Sequence, residues 1–490
     1  MTVALPSDIN SRSTADKRPQ PWHKTFEKPA TEFGPSPLTL LSGQIPSGLK
    51  GTFYQNGTGR LERGDAAAGH WFDGDGAILR VGFADGSATG TYRYVQTKGY
   101  QAESEVGEYL YGNYGMRYPG PLWEHVWGLL NGGSVKNSAN TSVLALEDKL
   151  LALWEAGRPY GLDLETLETF GEESLGWLNK RQAFSAHPLR DPASGEIYSV
   201  GVNALCQLSI YRCDANCNLI KQTMIPLKSV PMVHSFVMAG PYLVFLISPL
   251  KLDGLPLLLN QVCYADAIEW DESAGTRLIV VDRESLEIVS EGRGESWFQF
   301  HFGNGCVEQD GSVRMDFARF DDFISINEVL REVPSGRMET TAYGRLWQLR
   351  LDPKTGKVLS NECVLDRDCE FPLVPAAQVG QPWQHTYLLM HREGVKTGED
   401  WFGAVGRFDY ETGELKQADL GEGCYGSEPL YVADRLDSEK GWLLEVVYNS
   451  VAQRSELWVF DAQTLDESVC RMALPEIVPI GFHGTWRAVV

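Results

Sequence analysis

Asp352-Pro-Lys-Thr-Gly356 is one copy of a short motif that recurs along the chain and decides the predicted fold. Aspartate and serine or threonine close tight turns through bonds to nearby backbone, and glycine supplies a positive φ. The last three copies are 57 and 52 residues apart, about the length of one four-stranded propeller blade. The motif predicts an all-β fold, and six unrelated hairpin turns would also be all-β. The copies begin at Asp163, Asp191, Asp282, Asp352, Asp409 and Asp461.

Strand-like segments surround these turns. Residues 77–83 and 90–96 flank an Asp-Gly turn, which predicts a β-hairpin. Residues 121–130 and 323–329 are the expected short helices, and we interpret them as insertions. We predict that residues 1–35 form an N-terminal arm and that residues 36–490 form a single β-propeller domain with cap insertions.

Composition narrows the partners. The chain has 490 residues, 43% of them hydrophobic, and a formal net charge of −22. This charge argues against a nucleic-acid partner, and contact with a membrane would depend on apolar patches. The nine scattered cysteines indicate reduced thiols in a cytoplasmic protein. The sequence has neither a signal-peptide pattern nor a run of 18 apolar residues, and we expect a monomer.

Four histidines lie in aromatic or proline-flanked apolar contexts. Neutral imidazole is a common ligand for iron, zinc and copper. Ligands spread from residue 187 to residue 483 can share one metal only if the fold gathers distant segments at one axis, as a propeller does. Each histidine alone could instead be a hydrogen-bonded core residue, and His23, His70, His125, His385 and His391 are rival candidates. The four are His187, His234, His301 and His483.

Three glutamates, Glu155, Glu370 and Glu428, also lie in apolar strand-like contexts. An unpaired charge is costly in such surroundings, so each glutamate needs a partner. A metal-bound imidazole usually gives its second N–H to a carboxylate or a carbonyl group. The glutamates are therefore candidate partners of the histidines, with ordinary buried salt bridges as the alternative.

A series of short segments resembles the carotenoid cleavage oxygenase family, in family order from about residue 50 to the end. The N-terminal arm and residues 100–130 match poorly. The matching segments are Tyr54-Gln-Asn56-Gly, Phe72-Asp73-Gly-Asp75-Gly, Lys136-Asn-Ser-Ala-Asn140-Thr141, Leu151-Ala-Leu-Trp154-Glu155, Ser185-Ala-His187-Pro, His234-Ser-Phe236, Phe300-His301, Cys369-Glu370-Phe-Pro, Gly426-Ser-Glu428-Pro, Arg454-Ser-Glu456-Leu and Phe482-His483-Gly.

The resemblance implies a seven-bladed propeller, capped by helices and loops, with Fe(II) on its axis. The four histidines would hold the metal, the three glutamates would bond to three of them, and Thr141 would point a methyl group toward an open coordination site. Such a site uses O2 to split one double bond of a carotenoid or apocarotenoid into two carbonyl products such as retinal. Central 15,15′ cleavage is the expected reaction.

Aromatic side chains suit a tunnel that holds a conjugated polyene over the metal. The candidates for its lining, which could equally be core residues, are Phe72, Trp154, Phe236, Phe300 and Phe371. Residues 119–130 and 247–259 are apolar and could touch a membrane peripherally, or could be buried insertions. The alternatives for function are 9,10 cleavage of carotenoids, cleavage of stilbenes, a retinoid isomerase that does not use O2, and a propeller that serves as an interaction scaffold.

Overall fold

The computed structural model describes residues 18–131, 133, 135–203, 206–227 and 232–488. Residues 1–17 of the predicted arm lie outside this range, and the division at residue 35 stays a prediction. The strands, numbered in chain order, are β1 (Phe33–Pro37), β2 (Thr39–Gly43), β3 (Gly51–Arg60), β4 (Glu62–Arg63), β5 (Ala66–Ala67), β6 (Asp75–Ala84), β7 (Ser87–Tyr94), β8 (Ser142–Ala145), β9 (Leu150–Leu153), β10 (Tyr160–Leu162), β11 (Thr169–Glu172), β12 (Leu189–Arg190), β13 (Ile197–Asn203), β14 (Gln207–Cys213), β15 (Leu219–Pro226), β16 (Val237–Ala239), β17 (Tyr242–Ile247), β18 (Leu250–Leu252), β19 (Ile268–Trp270), β20 (Arg277–Asp282), β21 (Ile288–Arg293), β22 (Phe302–Val307), β23 (Val313–Arg319), β24 (Arg345–Leu351), β25 (Val358–Leu365), β26 (Cys369–Leu373), β27 (His385–Met390), β28 (Ala404–Asp409), β29 (Leu415–Asp419), β30 (Cys424–Gly426), β31 (Leu430–Ala433), β32 (Gly441–Asn449), β33 (Arg454–Asp461), β34 (Cys470–Ala473) and β35 (Gly484–Ala488).

Seven antiparallel sheets follow one another along the chain and form the blades of a propeller, which confirms the predicted fold. Two small hairpins, β4–β5 and β18–β19, stand apart from the blades. Written from the axis outward, the blades are β35-β3-β6-β7-β1 (blade 1), β8-β9-β10-β11 (blade 2), β12-β13-β14-β15 (blade 3), β16-β17-β20-β21 (blade 4), β22-β23-β24-β25 (blade 5), β26-β27-β28-β29 (blade 6) and β30-β32-β33-β34-β2 with β31 also paired to β32 (blade 7).

The two ends of the chain close the ring. The last strand, β35, pairs with β3 near the start, with Gly51 opposite Ala488 and Phe53 opposite Trp486. The segment before β3 contributes β1 to blade 1 and β2 to blade 7. Because blades 1 and 7 each combine strands from both ends of the chain, the ring closes through backbone hydrogen bonds as well as through side-chain packing.

The recurring turn motif marks the blades. Five of the six copies connect the third and fourth strands of a blade, while Asp191 connects the first two strands of blade 3. The aspartate accepts backbone N–H groups, as where Asp352 Oδ1 accepts from the Lys354 N–H at 2.9 Å. The fifth position has a positive φ both where it is glycine, 71° at Gly356, and where it is leucine, 59° at Leu167. The turn geometry is therefore shared even where the sequence departs from glycine.

The helices lie in insertions, as expected. Insertions connect the second and third strands of blades 1, 4, 5 and 6 at the same end of the propeller. Those of blades 4 and 5 contain one helix each, and the other two helices lie in the connection from blade 1 to blade 2. Together with a short helical turn at Pro21–Thr25 these insertions form the cap, whose apolar core includes Trp22, Trp71 and Phe323. The helices are α1 (Lys98–Val106), α2 (Leu122–Asn131), α3 (Gly254–Leu258) and α4 (Phe323–Glu332).

A hydrogen bond between blades 1 and 2 gives a test of this architecture. The buried Tyr54 hydroxyl donates to the Leu164 carbonyl oxygen at 2.9 Å. Tyr54→Phe should lower the free energy of unfolding by about 1 kcal/mol, because it removes this bond. Tyr448 is the matched control, since its buried hydroxyl has no hydrogen-bond partner within residues 18–131, 133, 135–203, 206–227 and 232–488, and Tyr448→Phe should leave stability unchanged. Equal thermal midpoints for the two variants would contradict the expectation.

Candidate metal centre

The four predicted histidines come together on the propeller axis. Each lies just before the innermost strand of a blade: His483 before β35, His187 before β12, His234 before β16 and His301 before β22. Since these strands surround the axis, residues at the same end of each strand converge there. One nitrogen from each ring lies within 4.8 Å of the corresponding nitrogen of every other ring. The structure thus places the four side chains where a single cation could bind them all.

The three predicted glutamates lie behind these rings. His301 Nδ1 donates to Glu370 Oε2 at 2.6 Å, and His483 Nδ1 donates to Glu428 Oε1 at 2.8 Å. His234 Nδ1 lies 3.2 Å from Glu155 Oε1, which is an ion-pair distance without hydrogen-bond alignment. The two hydrogen bonds hold His301 and His483 by Nδ1 and leave the Nε2 atom of each ring to face the axis.

All seven blades contribute one polar group to this arrangement. Blades 1, 3, 4 and 5 supply histidines, and blades 2, 6 and 7 supply the glutamates. In blade 2 the position before the innermost strand is occupied by Thr141 instead of a histidine. The Thr141 hydroxyl donates to Asn140 Oδ1 at 3.3 Å, and its carbonyl accepts the His483 N–H at 3.3 Å. Thr141 therefore lies beside the histidine cluster, and its predicted role there stays a prediction.

The nitrogen positions fit a bound cation. His301 Nε2 lies 3.0 Å from His234 Nε2 and 3.2 Å from His483 Nε2. When Nδ1 carries the proton for a glutamate, each Nε2 presents a lone pair, and two facing lone pairs repel. Two nitrogens at adjacent positions around one cation, each about 2.1 Å from it, would lie about 3 Å apart. Among the residues that the structure describes, the buried Nε2 of His187 has no hydrogen-bond partner and lies 3.8 Å from Glu155 Oε1, so it is available to a cation.

Burial also favours the form of imidazole that binds metals. It lowers the pKa of His187 and His301 well below the usual value, and the neighbouring histidines lower it further. Burial raises the pKa of Glu370 to about 8. Neutral imidazoles leave the cation as the main charge of the site, and that cation would in turn favour the carboxylate form of Glu370.

Three of the predicted tunnel aromatics lie at the cap side of the histidines. The Phe371 ring stacks on His301 with centroids 4.8 Å apart, and Phe300 contacts His234 at 5.1 Å. Phe72 contacts Phe300 at 6.2 Å. Trp154 is half-buried and directly precedes Glu155. These positions suit an apolar wall above the site, and the role in substrate binding stays a prediction.

Phe236 lies elsewhere, which corrects the expectation that it lines a tunnel. It is 1% exposed and stacks on Phe245 of β17, with centroids 5.3 Å apart. Its apolar neighbours come from β13, β14, β17 and β20, so it belongs to the packing between blades 3 and 4. Although Phe236 is only two residues from His234, it directly precedes β16, where alternate side chains turn into the blade core.

The sequence did not predict three further aromatic residues near the site. The rings of Trp71 and Phe482 pack with centroids 4.2 Å apart, and Phe482 directly precedes His483. The Trp401 ring contacts that of Trp71, with centroids 5.0 Å apart. The position of Phe482 next to a candidate ligand was a usable signal. Trp71 and Trp401 are more than 300 residues apart and meet only because two cap insertions leave the same end of the propeller.

Comparison with known proteins identifies the class. The retinal pigment epithelial membrane protein family matches residues 26–488, so the chain belongs to that family, which includes the carotenoid oxygenases. The predicted family and the prediction of an enzyme are confirmed.

Individual relatives cover nearly all of the chain. Apocarotenoid-15,15′-oxygenase of Synechocystis is 29% identical, over 97% of this chain and 98% of its own. Carotenoid 9,10(9′,10′)-cleavage dioxygenase 1 of Arabidopsis thaliana is 28% identical, over 90% and 85%. Resveratrol cleavage oxygenase 1 of Botryotinia fuckeliana is 25% identical, over 91% and 82%. The crystal structure of cobalt-substituted Synechocystis ACO superposes with a TM-score of 0.86 at 28% identity, covering 96% of this chain and 98% of that chain.

Removal of one candidate ligand tests the site. His301→Ala should abolish tight binding of one divalent metal ion per chain, because it removes a central ligand. Elemental analysis and circular dichroism would show loss of metal with retention of the fold. His385→Ala is the control, since His385 lies in blade 6 and bonds to Asp409. Full metal content in His301→Ala would remove this residue from the site.

Proposed function

We propose that this chain is an Fe(II)-dependent dioxygenase that cleaves one conjugated double bond of an apocarotenoid or carotenoid with O2. The observation that carries the proposal is the convergence of one nitrogen from each of four histidines. Two of these histidine rings are held by well-formed hydrogen bonds to Glu370 and Glu428. A polyene C=C and one O2 balance as two carbonyl products, so no external reductant is needed. Four neutral ligands preserve the +2 charge of the metal, which when bound would supply O2 activation.

The protein groups have distinct parts in this chemistry. The glutamates orient the imidazoles, and Phe371, Phe300 and Phe72 form an apolar wall that excludes water and can lie against a flat polyene. The buried Lys136 is bonded to Asp75 and Glu103 at 2.9 Å each, so its ammonium group is already paired with two carboxylates. This supports a polyene over a stilbene, whose cleavage we expect to need a group that ionises a phenol.

We propose 15,15′ cleavage with retinal among the products, because that reaction names the relative with 29% identity. Cleavage at 9,10 is the principal alternative, since a relative with 28% identity bears that name and since tunnel length, rather than the metal site, sets the position of the bond.

Product masses would test both the reaction and the bond. Fe(II)-loaded protein incubated in air with apocarotenals, β-carotene and resveratrol should convert an apocarotenal to retinal and a shorter dialdehyde. His301→Ala and an anaerobic sample should give neither product. Products of 9,10 cleavage would change the assigned bond, phenolic aldehydes from resveratrol would change the substrate class, and metal-loaded protein without any cleavage would contradict the proposal.

We also propose that a monomer in the cytoplasm takes its substrate from a membrane surface. Within the described residues no helix is long and apolar enough to span a membrane. Helices α2 and α3 lie side by side, since His125 Nε2 contacts the Leu257 carbonyl oxygen at 3.1 Å. Their outer faces form an apolar patch suited to lying in an interface. Its exposed side chains are Leu122, Trp123, Trp127, Leu129, Leu255, Leu258 and Leu259.

Vesicle binding tests the apolar patch. Trp123→Glu combined with Leu255→Glu should reduce co-sedimentation with phosphatidylcholine vesicles at least ~10-fold, because each change places a charge where an apolar side chain was buried in lipid. Neutral lipid is chosen because the protein carries a charge of −22. Leu436→Glu with Val451→Glu is the matched control, as both residues are exposed outside the patch. Equal binding by both pairs of variants would contradict the proposal.

A further inference from the structure

A break in the innermost strand of blade 7 delivers Glu428 to the metal centre. Strands β30 and β31 both pair with β32, the first up to Gly426 opposite Val447 and the second from Leu430 opposite Leu444. Residues 427–429 leave the ladder between these two points. Glu445 and Val446 of β32 are therefore the residues opposite the break.

Glu445 holds the start of this break. The Ser427 N–H donates to Glu445 Oε1 at 2.6 Å and to the Val446 carbonyl oxygen at 3.1 Å. The Ser427 hydroxyl oxygen in turn accepts the Gly481 N–H at 3.0 Å, two residues before His483. One buried carboxyl group thus anchors a segment that touches both the Glu428 turn and the approach to His483.

Glu428 connects the anchored segment to the candidate ligand His483. Its Oε1 accepts from His483 Nδ1 at 2.8 Å, and its Oε2 accepts from the Gly484 N–H at 2.9 Å. Both carboxylate oxygens are engaged by the segment that carries His483. Displacement of the Ser427 backbone would therefore move the group that orients the His483 ring.

Glu445 is an unusual residue for this position. It is 0% exposed, and its second oxygen, Oε2, is buried without a hydrogen-bond partner in the described part of the chain. Burial raises the pKa of this carboxyl group well above the usual value, which favours its neutral form. The corresponding break in blade 6 lies opposite the apolar Leu388, and there Glu370 accepts the N–H of its own neighbour Phe371. Burial of an acid is costly, which indicates that the blade 7 break depends on it.

The fit around the carboxyl group is close. A Cβ atom on Gly426 would lie 2.7 Å from Glu445 Oε1, so the backbone can approach the carboxyl only because residue 426 is glycine. The Gly426 carbonyl oxygen is also held, by the Trp401 indole N–H at 3.0 Å. The end of β30 is therefore fixed from two sides just before the break.

From these contacts we propose that Glu445 is a positioning residue for the metal centre, which acts through Ser427 and Glu428 on His483. This inference rests on the proposed function in assuming that the four histidines bind a metal. Groups that orient metal ligands typically change metal affinity or activity 10–100-fold when they are replaced, so we expect an effect of about 10-fold for a group one step further away.

Two substitutions distinguish the length of the Glu445 side chain from its acidity. Glu445→Asp keeps the acid but shortens the side chain by one methylene group, so it loses the Ser427 N–H. Glu445→Gln keeps the length and the acceptor oxygen. The matched controls are Glu456→Asp and Glu456→Gln, because Glu456 is an equally buried acid on the adjacent strand β33 that bonds to Arg454 and Trp458.

The measurements are the dissociation constant and visible spectrum of bound Co(II), together with the thermal midpoint of the metal-free protein. Glu445→Asp should weaken Co(II) binding about 10-fold and alter the spectrum. Glu445→Gln should keep the wild-type affinity and spectrum, and neither Glu456 variant should change them. Wild-type Co(II) behaviour in Glu445→Asp, loss only in Glu445→Gln, or equal loss in Glu456→Asp would overturn the inference. Failure of the wild-type protein to bind Co(II) would overturn the proposed function as well.

Discussion

The metal centre depends on the orientation of four imidazoles, each of which brings one ring nitrogen within 4.8 Å of the other three at the propeller axis. His301 Nε2 lies 3.0 and 3.2 Å from two such atoms, a repulsive arrangement of lone pairs that a cation would turn into ligation. The arrangement persists because two of the rings are held from behind by hydrogen bonds from Nδ1 to Glu370 and Glu428. Metal binding therefore requires a rigid scaffold, because imidazoles that were free to rotate would turn their lone pairs away from one another and lose the arrangement that binds the cation.

The propeller meets this requirement by repetition. Each blade points the start of its innermost strand toward the axis, so the same local position in different blades yields a shared site. Four blades use that position for histidine and blade 2 uses it for Thr141. The carboxylates are positioned by a different structural feature, because they must reach the imidazole rings from the side. In blade 7 the innermost strand is interrupted at residues 427–429, which include Glu428. In blade 6 Glu370 still pairs with Leu389 and directly precedes the interruption, where Phe371 has a φ of 52°.

The cap supplies the apolar surroundings. Insertions at one end of blades 1, 4, 5 and 6 bring large aromatic residues over the histidines, and a helical turn near the N-terminus adds Trp22 to the same cluster. Such surroundings favour the neutral form of His187 and His301, because burial lowers the pKa of both. The ends of the blades therefore supply the polar groups of the candidate metal centre, and the cap supplies its apolar surroundings.

The sequence by itself determined the all-β class, the turn motif of the blades, the positions of α2 and α4, and which histidines and glutamates are candidates for a shared site, because local turn chemistry and costly buried polar groups are visible in short segments. It did not predict helices α1 and α3, and it failed for Phe236, whose neighbours are set by blade-to-blade packing. Only the tertiary structure decided which ring meets which carboxylate, how Glu445 reaches Ser427, and how distant cap residues such as Trp71 and Trp401 touch. Those contacts join residues far apart in the chain, and their partners are chosen by the closure of the ring rather than by any local pattern.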